Sequence, residues 1–209
     1  MGMILRFKDL FFNRLSLFLF FIIIFALGSV FGVVALVNLP PSQRGVLVDE
    51  LSTLFQGLEG APLPDSLSLL KGLAFDHLVN LAMIWFLGLS VVGSPLIMLL
   101  LFLRGFVLGF TVGFLIHELF LSGVFFALAA LAPHQLIIIP VTITAAVTGA
   151  SFALMMVRKL AGGRRLNYLE NLLGYTTVFL ALSTFLLLAS LIEALVSPFL
   201  LEVVSRLIL

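Results

Sequence analysis

The stretch "LLLFLRGFVLGFTVGFLI" (residues 99–116) holds one charged side chain, Arg104, in an otherwise apolar run. Its reading depends on the solvent around it. Of 209 residues, 62% are hydrophobic and 10% are charged. A soluble domain of this length carries about 25% charged residues. Mean hydropathy is +1.30. Such a chain cannot present a wettable surface, so residues 99–116 belong in a bilayer. There is no cysteine, which excludes disulfides and thiol catalysis. The net charge of +1 gives no footprint for nucleic acid.

Working outward, a crossing needs about 20 apolar residues. Runs of that kind fall at 15–37, 73–92, 95–116 and 172–192, and a further apolar stretch covers 119–157. The first run is too long for a signal-peptide core and has no small-x-small cleavage site, so it reads as an uncleaved anchor. Cytoplasmic loops favour Lys and Arg. Arg6, Lys8 and Arg14 place the N-terminus inside, and Arg158, Lys159, Arg164 and Arg165 do the same for that loop. Residues 117 to 157 must then make one net crossing. Residues 135–157 supply it, and 119–134 are predicted to dip in from the outer face and return, bent near Pro133. The expectation is one all-α membrane domain over 1–209: five spans, a short re-entrant helix, and an outer loop at 38–72. Residue 40 and residue 204 lie outside, in a bacterial cell membrane. The carboxylates Asp49, Glu50, Glu59, Asp65, Asp76, Glu118, Glu193 and Glu202 fall on the outer side.

The outer loop contains "PPSQRGVLVDELSTLFQGL" (residues 40–58), with Leu47, Leu51, Leu54, Phe55 and Leu58 on one helical stripe. This is an amphipathic helix. It either rests on the leaflet or offers Leu51, Leu54 and Phe55 to a partner. Close packing of membrane helices uses small residues four apart. Gly105, Gly109 and Gly113 form such a row, as do Gly28 with Gly32, and Ala145, Gly149 and Ala153. These rows suit packing inside the chain or a homodimer face.

Ionisable residues inside membranes are functional candidates. His77, His117, Glu118, His134 and Glu193, with Asp76, all fall near the outer leaflet on this reading. Histidines and a carboxylate are a zinc ligand set, but the spacing includes no H-E-x-x-H, so wetted or hydrogen-bonded side chains are the plainer expectation. No G-x-S-x-G is present, and Ser90, Ser94 and Ser151 have no histidine at the same depth. The chain therefore reads as no enzyme, without cofactor. No phosphate loop exists, so transport would need a separate ATPase. Arg104 lies about ten residues into its span, roughly 15 Å. It is expected either to snorkel toward the cytoplasmic side and the "VGSP" carbonyls (residues 92–95) or to mark a cavity or a partner contact.

The segments "LGSVFG" (27–32), "FDHLVNLAMIWFLGLSVVGSPLIMLLLFLRGFVLGFTVGFL" (75–115), "LAPHQLIIIP" (131–140) and "IEALVSP" (192–198) resemble the stage II sporulation protein M family across essentially the whole chain. Arg104 followed by Gly105 and Gly109 looks like its sporulation branch. Wider relatives carry Pro-His-Gly with a Glu three residues on; here those positions are Pro133, His134, Gln135 and Ile138, so that Glu is missing. The resemblance implies a non-enzymatic scaffold. It would recruit two peptidoglycan-degrading partners, stage II sporulation proteins D and P, to the septal membrane during engulfment. The alternatives are a permease-like subunit of an ATPase-driven exporter and a membrane protein with an outer-leaflet metal site.

Overall fold

The computed structural model describes residues 15–60, 66–90, 92–161 and 168–208. Among these it contains six helices and no strand: α1 (Leu15–Val37), α2 (Pro41–Gly60), α3 (Ser66–Gly88), α4 (Gly93–Ala130), α5 (Ala132–Ala161) and α6 (Tyr168–Ile208). All but α2 are long and apolar enough to cross a membrane. A helix is the expected answer in lipid, because it satisfies its backbone polar groups within the segment. The chain is a multi-pass helical membrane bundle. The basic clusters at 6–14 and 164–165 lie outside the described residues, as do the side chains of Arg158 and Lys159.

α5 is the axis of the bundle. In its apolar window 67% of residues are buried, against 11% in α3 and 17% in α1. Ala145, Ala146, Ala150 and Ala153 leave almost no surface, and these small side chains let α3, α4 and α6 approach closely. Near the α3–α4 hairpin, Tyr175 of α6 donates from its hydroxyl to the carbonyl of Trp85 across 2.9 Å and stacks on Phe152 with ring centres 4.4 Å apart. Gly88 is required there, since a Cβ would overlap the Tyr175 hydroxyl.

α1 is peripheral and packs chiefly on α4. The contact is backbone to backbone. A Cβ on Gly28 would overlap the carbonyl of Phe102, and one on Gly32 the carbonyl of Phe106. Gly105 meets the carbonyl of Phe25 and Gly109 that of Ser29 in the same way. Residue numbers rise together along the seam, so α1 and α4 run parallel. Gly113 is looser: its nearest neighbour is Leu36 Cδ2 at 3.3 Å. A Cβ on Gly149 would lie 3.0 Å from Ile97 Cδ1. The glycine rows of both helices are thus occupied within the chain.

Several boundaries differ from expectation. The helix that carries the apolar run at 73–92 begins at Ser66, where Asp65 or Ser66 is expected to cap it, but stops at Gly88 and not at 92: Leu89 and Ser90 donate to the carbonyls of Phe86 and Leu87 and close it. The helix takes in "SLSLLKG" because Lys71 is exposed and sits at no cost on its surface. The reversal expected near Pro133 falls instead at Phe120, whose φ of 51° and ψ of −127° break α4 into two limbs. Gly123 folds back onto the Leu115 carbonyl. Pro133 causes no break because it stands in the first turn of α5, where a missing N–H is tolerated. Residues 121–130 are the short helix anticipated at 119–134. They pass into α5 through Leu131, which keeps helical backbone angles and bonds to Ala127, so the link is a helical turn and not a loop. The fourth and fifth crossings are likewise longer than the predicted 135–157 and 172–192.

Phe120 occupies the backbone region of the first central position of a II′ turn, which favours glycine. An L side chain there carries strain of about 1–3 kcal/mol. The residue is 78% exposed and contributes little packing. Phe120→Gly is therefore expected to raise stability by about 1 kcal/mol, read as a higher unfolding midpoint in detergent. A lower midpoint would mean that the ring, not the turn, sets the energy at this position.

Candidate functional site

The α3–α4 hairpin sets the depth of the polar residues. α3 ends at Gly88 and α4 begins at Gly93. His77 precedes the first of these by about three helical turns, and Arg104 follows the second by the same distance. At about 1.5 Å per residue both sit roughly 16 Å from the hairpin. His77 is thus well inside its helix, which begins at Ser66.

Glu193 of α6 projects between two rings. His77 Nε2 is 3.2 Å from Glu193 Oε2, a hydrogen bond in the tautomer protonated at Nε2. His134 Nε2 of α5 is 3.6 Å from Oε1, an ion-pair distance. One carboxylate thereby ties α3, α5 and α6 together. His134 is buried, and its Nδ1 has no partner among the described residues.

The other outer pair stands apart. His117 Nδ1 lies 3.0 Å from Glu118 Oε1, and Arg44 Nη1 of α2 donates to His117 Nε2 across 3.4 Å. Arg44 Nη2 also reaches the Leu36 carbonyl at 3.4 Å. This small relay fastens the start of α2 to the far end of α4. The histidine and carboxylate candidates therefore divide into two groups. Among the described residues, no set of three or more His, Asp or Glu is arranged to hold a metal ion.

Arg104 does not turn toward the hairpin as snorkelling would require. Its Nη1 donates to Thr142 Oγ1 of α5 across 3.2 Å. Thr142 in turn donates to the Ile138 carbonyl at 2.7 Å, which leaves its lone pairs facing the guanidinium. The guanidinium lines a cavity of about 400 Å³ between α3, α4 and α5. His77, Asn80, Thr111, Gln135 and Thr142 share that lining, and the remaining walls are Phe25 and aliphatic residues. Sequence reading missed Thr142, Thr111 and Gln135 as members of this group. The signal was present for α3, since counting back from the hairpin puts His77 and Asn80 level with Arg104. The side chains of Leu51, Leu54 and Phe55 lie outside the described residues, although their backbone is helical within α2.

What the arrangement offers is a half-buried cation with polar company and a separate carboxylate braced by two imidazoles. No curated protein and no solved structure matches the chain significantly. The family model for Stage II sporulation protein M matches residues 18–198, which take in the glycine seam, the Arg104 cavity and the Glu193 brace; the chain is a sporulation membrane protein belonging to that family.

Proposed function

We propose that this protein is a non-catalytic membrane scaffold that recruits stage II sporulation proteins D and P, both peptidoglycan-degrading, to the septal membrane during engulfment. The observation that carries the proposal is the family match over residues 18–198. In this reading the N-terminus is cytoplasmic and α2 lies on the outer face, where the wall is. Arg44 supports it physically: its bonds to His117 and the Leu36 carbonyl hold the start of α2 against the bundle, so a partner would meet a helix already in position. Preorganisation of that kind lowers the cost of binding. The apolar stripe of Leu51, Leu54 and Phe55 is the contact surface, and the chain needs no cofactor for the task.

The test is co-purification. Tagged full-length chain, expressed with proteins D and P, should retain both after membrane extraction. Replacing Leu51, Leu54 and Phe55 together with Ser should cut their recovery roughly tenfold or more, equivalent to about 1.4 kcal/mol, while membrane abundance stays unchanged. Failure of the intact chain to retain either protein would remove the proposal. Retention that ignores the triple substitution would move the contact away from α2.

A further inference from the structure

Arg104 keeps its positive charge at any accessible pH, yet among the described residues its hydrogen-bond partner is a neutral hydroxyl, Thr142 Oγ1 at 3.2 Å. Among the same residues no carboxylate lies within ion-pair distance of it. Glu193, which approaches the His77 ring on the cavity wall, has each oxygen faced by a histidine. Arg104 is half-buried; a cation held inside a bundle without a counter-charge is costly, and intramembrane arginines ordinarily pair. The space beside this one has a volume of about 400 Å³, within the ~300–1,000 Å³ of small-molecule sites. Its polar lining includes the amides of Asn80 and Gln135, which can donate to an anion.

The walls say where the occupant comes from. Leu103 and Val107 line the cavity and are also exposed on the lateral surface of α4, at 45% and 62%. With Leu99, 51% exposed, they form one stripe at i, i+4 and i+8 that faces outward from the bundle. The cavity thus opens sideways, through an apolar rim, onto the surface that faces lipid.

We propose that this cavity binds the head group of an anionic membrane amphiphile, a carboxylate or phosphate on an apolar chain, with Arg104 as its counter-charge. The planar guanidinium matches either group with two parallel donors. Thr142 holds the guanidinium from the α5 side. The apolar tail leaves over Leu103 and Val107. The site is separate from the α2 surface, so neither proposal depends on the other.

Full-length protein in an uncharged detergent is titrated with oleate, oleyl phosphate, oleyl alcohol, acetate and inorganic phosphate while its unfolding midpoint is followed. A ligand of the folded state raises that midpoint with concentration. Oleate or oleyl phosphate should do so, and the uncharged alcohol should not. Acetate and inorganic phosphate should fail at the same concentrations. Arg104→Gln should weaken binding tenfold or more, and Arg104→Lys less, because it keeps a point cation. Equal stabilisation by oleyl alcohol, equal stabilisation by the small anions, or wild-type binding by Arg104→Gln would each overturn the proposal. An oleate carrying a diazirine near its carboxyl group, used on the wild-type protein, needs no variant to fold. Labelling of Leu103, Val107 or Ile139 supports the site, and labelling confined to other surfaces, such as Leu187 on α6, overturns it.

Discussion

Gly109→Leu detaches α1 from the bundle. A Cβ on Gly109 already overlaps the carbonyl oxygen, carbon and Cα of Ser29, and these are backbone atoms that cannot rotate away. Overpacking a core usually costs about 1–3 kcal/mol because side chains give way; here the helices themselves must part. Membrane helices associate through close packing without a hydrophobic drive between them, so separation forfeits most of what holds α1. A disulfide reports this cleanly, because the native chain has no cysteine. A Cβ at Gly113 would lie 3.7 Å from Val33 Cα, so the two backbones approach closely enough for a bridge. The pair Val33→Cys and Gly113→Cys should cross-link on oxidation, and adding Gly109→Leu should abolish most of the product. Undiminished cross-linking would show that the seam tolerates bulk. Gly113→Leu alone should be mild, since its neighbours are side-chain ends at 3.3 and 3.4 Å.

Glu193→Ala should bring the second large loss. The carboxylate is the shared partner of His77 and His134, and both rings are mostly buried, with side chains 15% and 6% exposed. Ordinary hydrogen bonds between membrane helices average about 0.6 kcal/mol, whereas breaking a buried ion pair costs about 3–5 kcal/mol. With one side of the brace partly exposed, the expected loss is about 1–3 kcal/mol, between those two limits, seen as a lower unfolding midpoint. Glu193→Gln should lose less, since an amide still accepts from one ring. A double-mutant cycle between Glu193→Ala and His77→Leu should be non-additive by about 1 kcal/mol or more. Strict additivity would mean that the contact between His77 and Glu193 carries no energy.

The number of crossings was legible because lipid allows few solutions: apolar length alone locates α1 and α5 to within several residues and the starts of α4 and α6, which run on to Ala130 and Ile208. The glycine spacing announced close packing, but a row of glycines is blank on one side and cannot say which helix fills it. Gly105 and Gly109 turned out to face Phe25 and Ser29 within the same chain. The histidines were legible as a class, but which of them meet was not. His77 depends on how far the helix runs before the apolar run at 73: Asp65 or Ser66 was legible as its cap, and α3 does begin at Ser66. His117 and Glu118 share a stretch of sequence with the third span, yet the reversal at Phe120 leaves them beside Arg44 and not beside Glu193. Thr142 was invisible because a threonine in a membrane helix normally satisfies itself on the preceding turn, as Thr144 and Thr148 do; only a neighbour's cation gives it a second role.

The parallel seam between α1 and α4 also bears on how the chain is made. Gly28 meets Phe102, a partner that leaves the ribosome long after it. At ~5–20 residues per second, α1 waits roughly 4–15 s in the bilayer before that part of α4 exists. Its composition fits the delay. α1 has the highest hydropathy of the five spans, 2.9. Its seam is glycine with Ser29, whose hydroxyl is already satisfied on the Phe25 carbonyl of the same helix, so no polar side chain is stranded in lipid. α5 is the opposite case. It carries Thr142, buried in the finished bundle, and it leaves the ribosome only after Arg104 of α4 is present to meet it, while His134 waits for Glu193 of α6. The order of helices along the chain is thus also a schedule, with the self-sufficient helix first and the dependent one between its hosts.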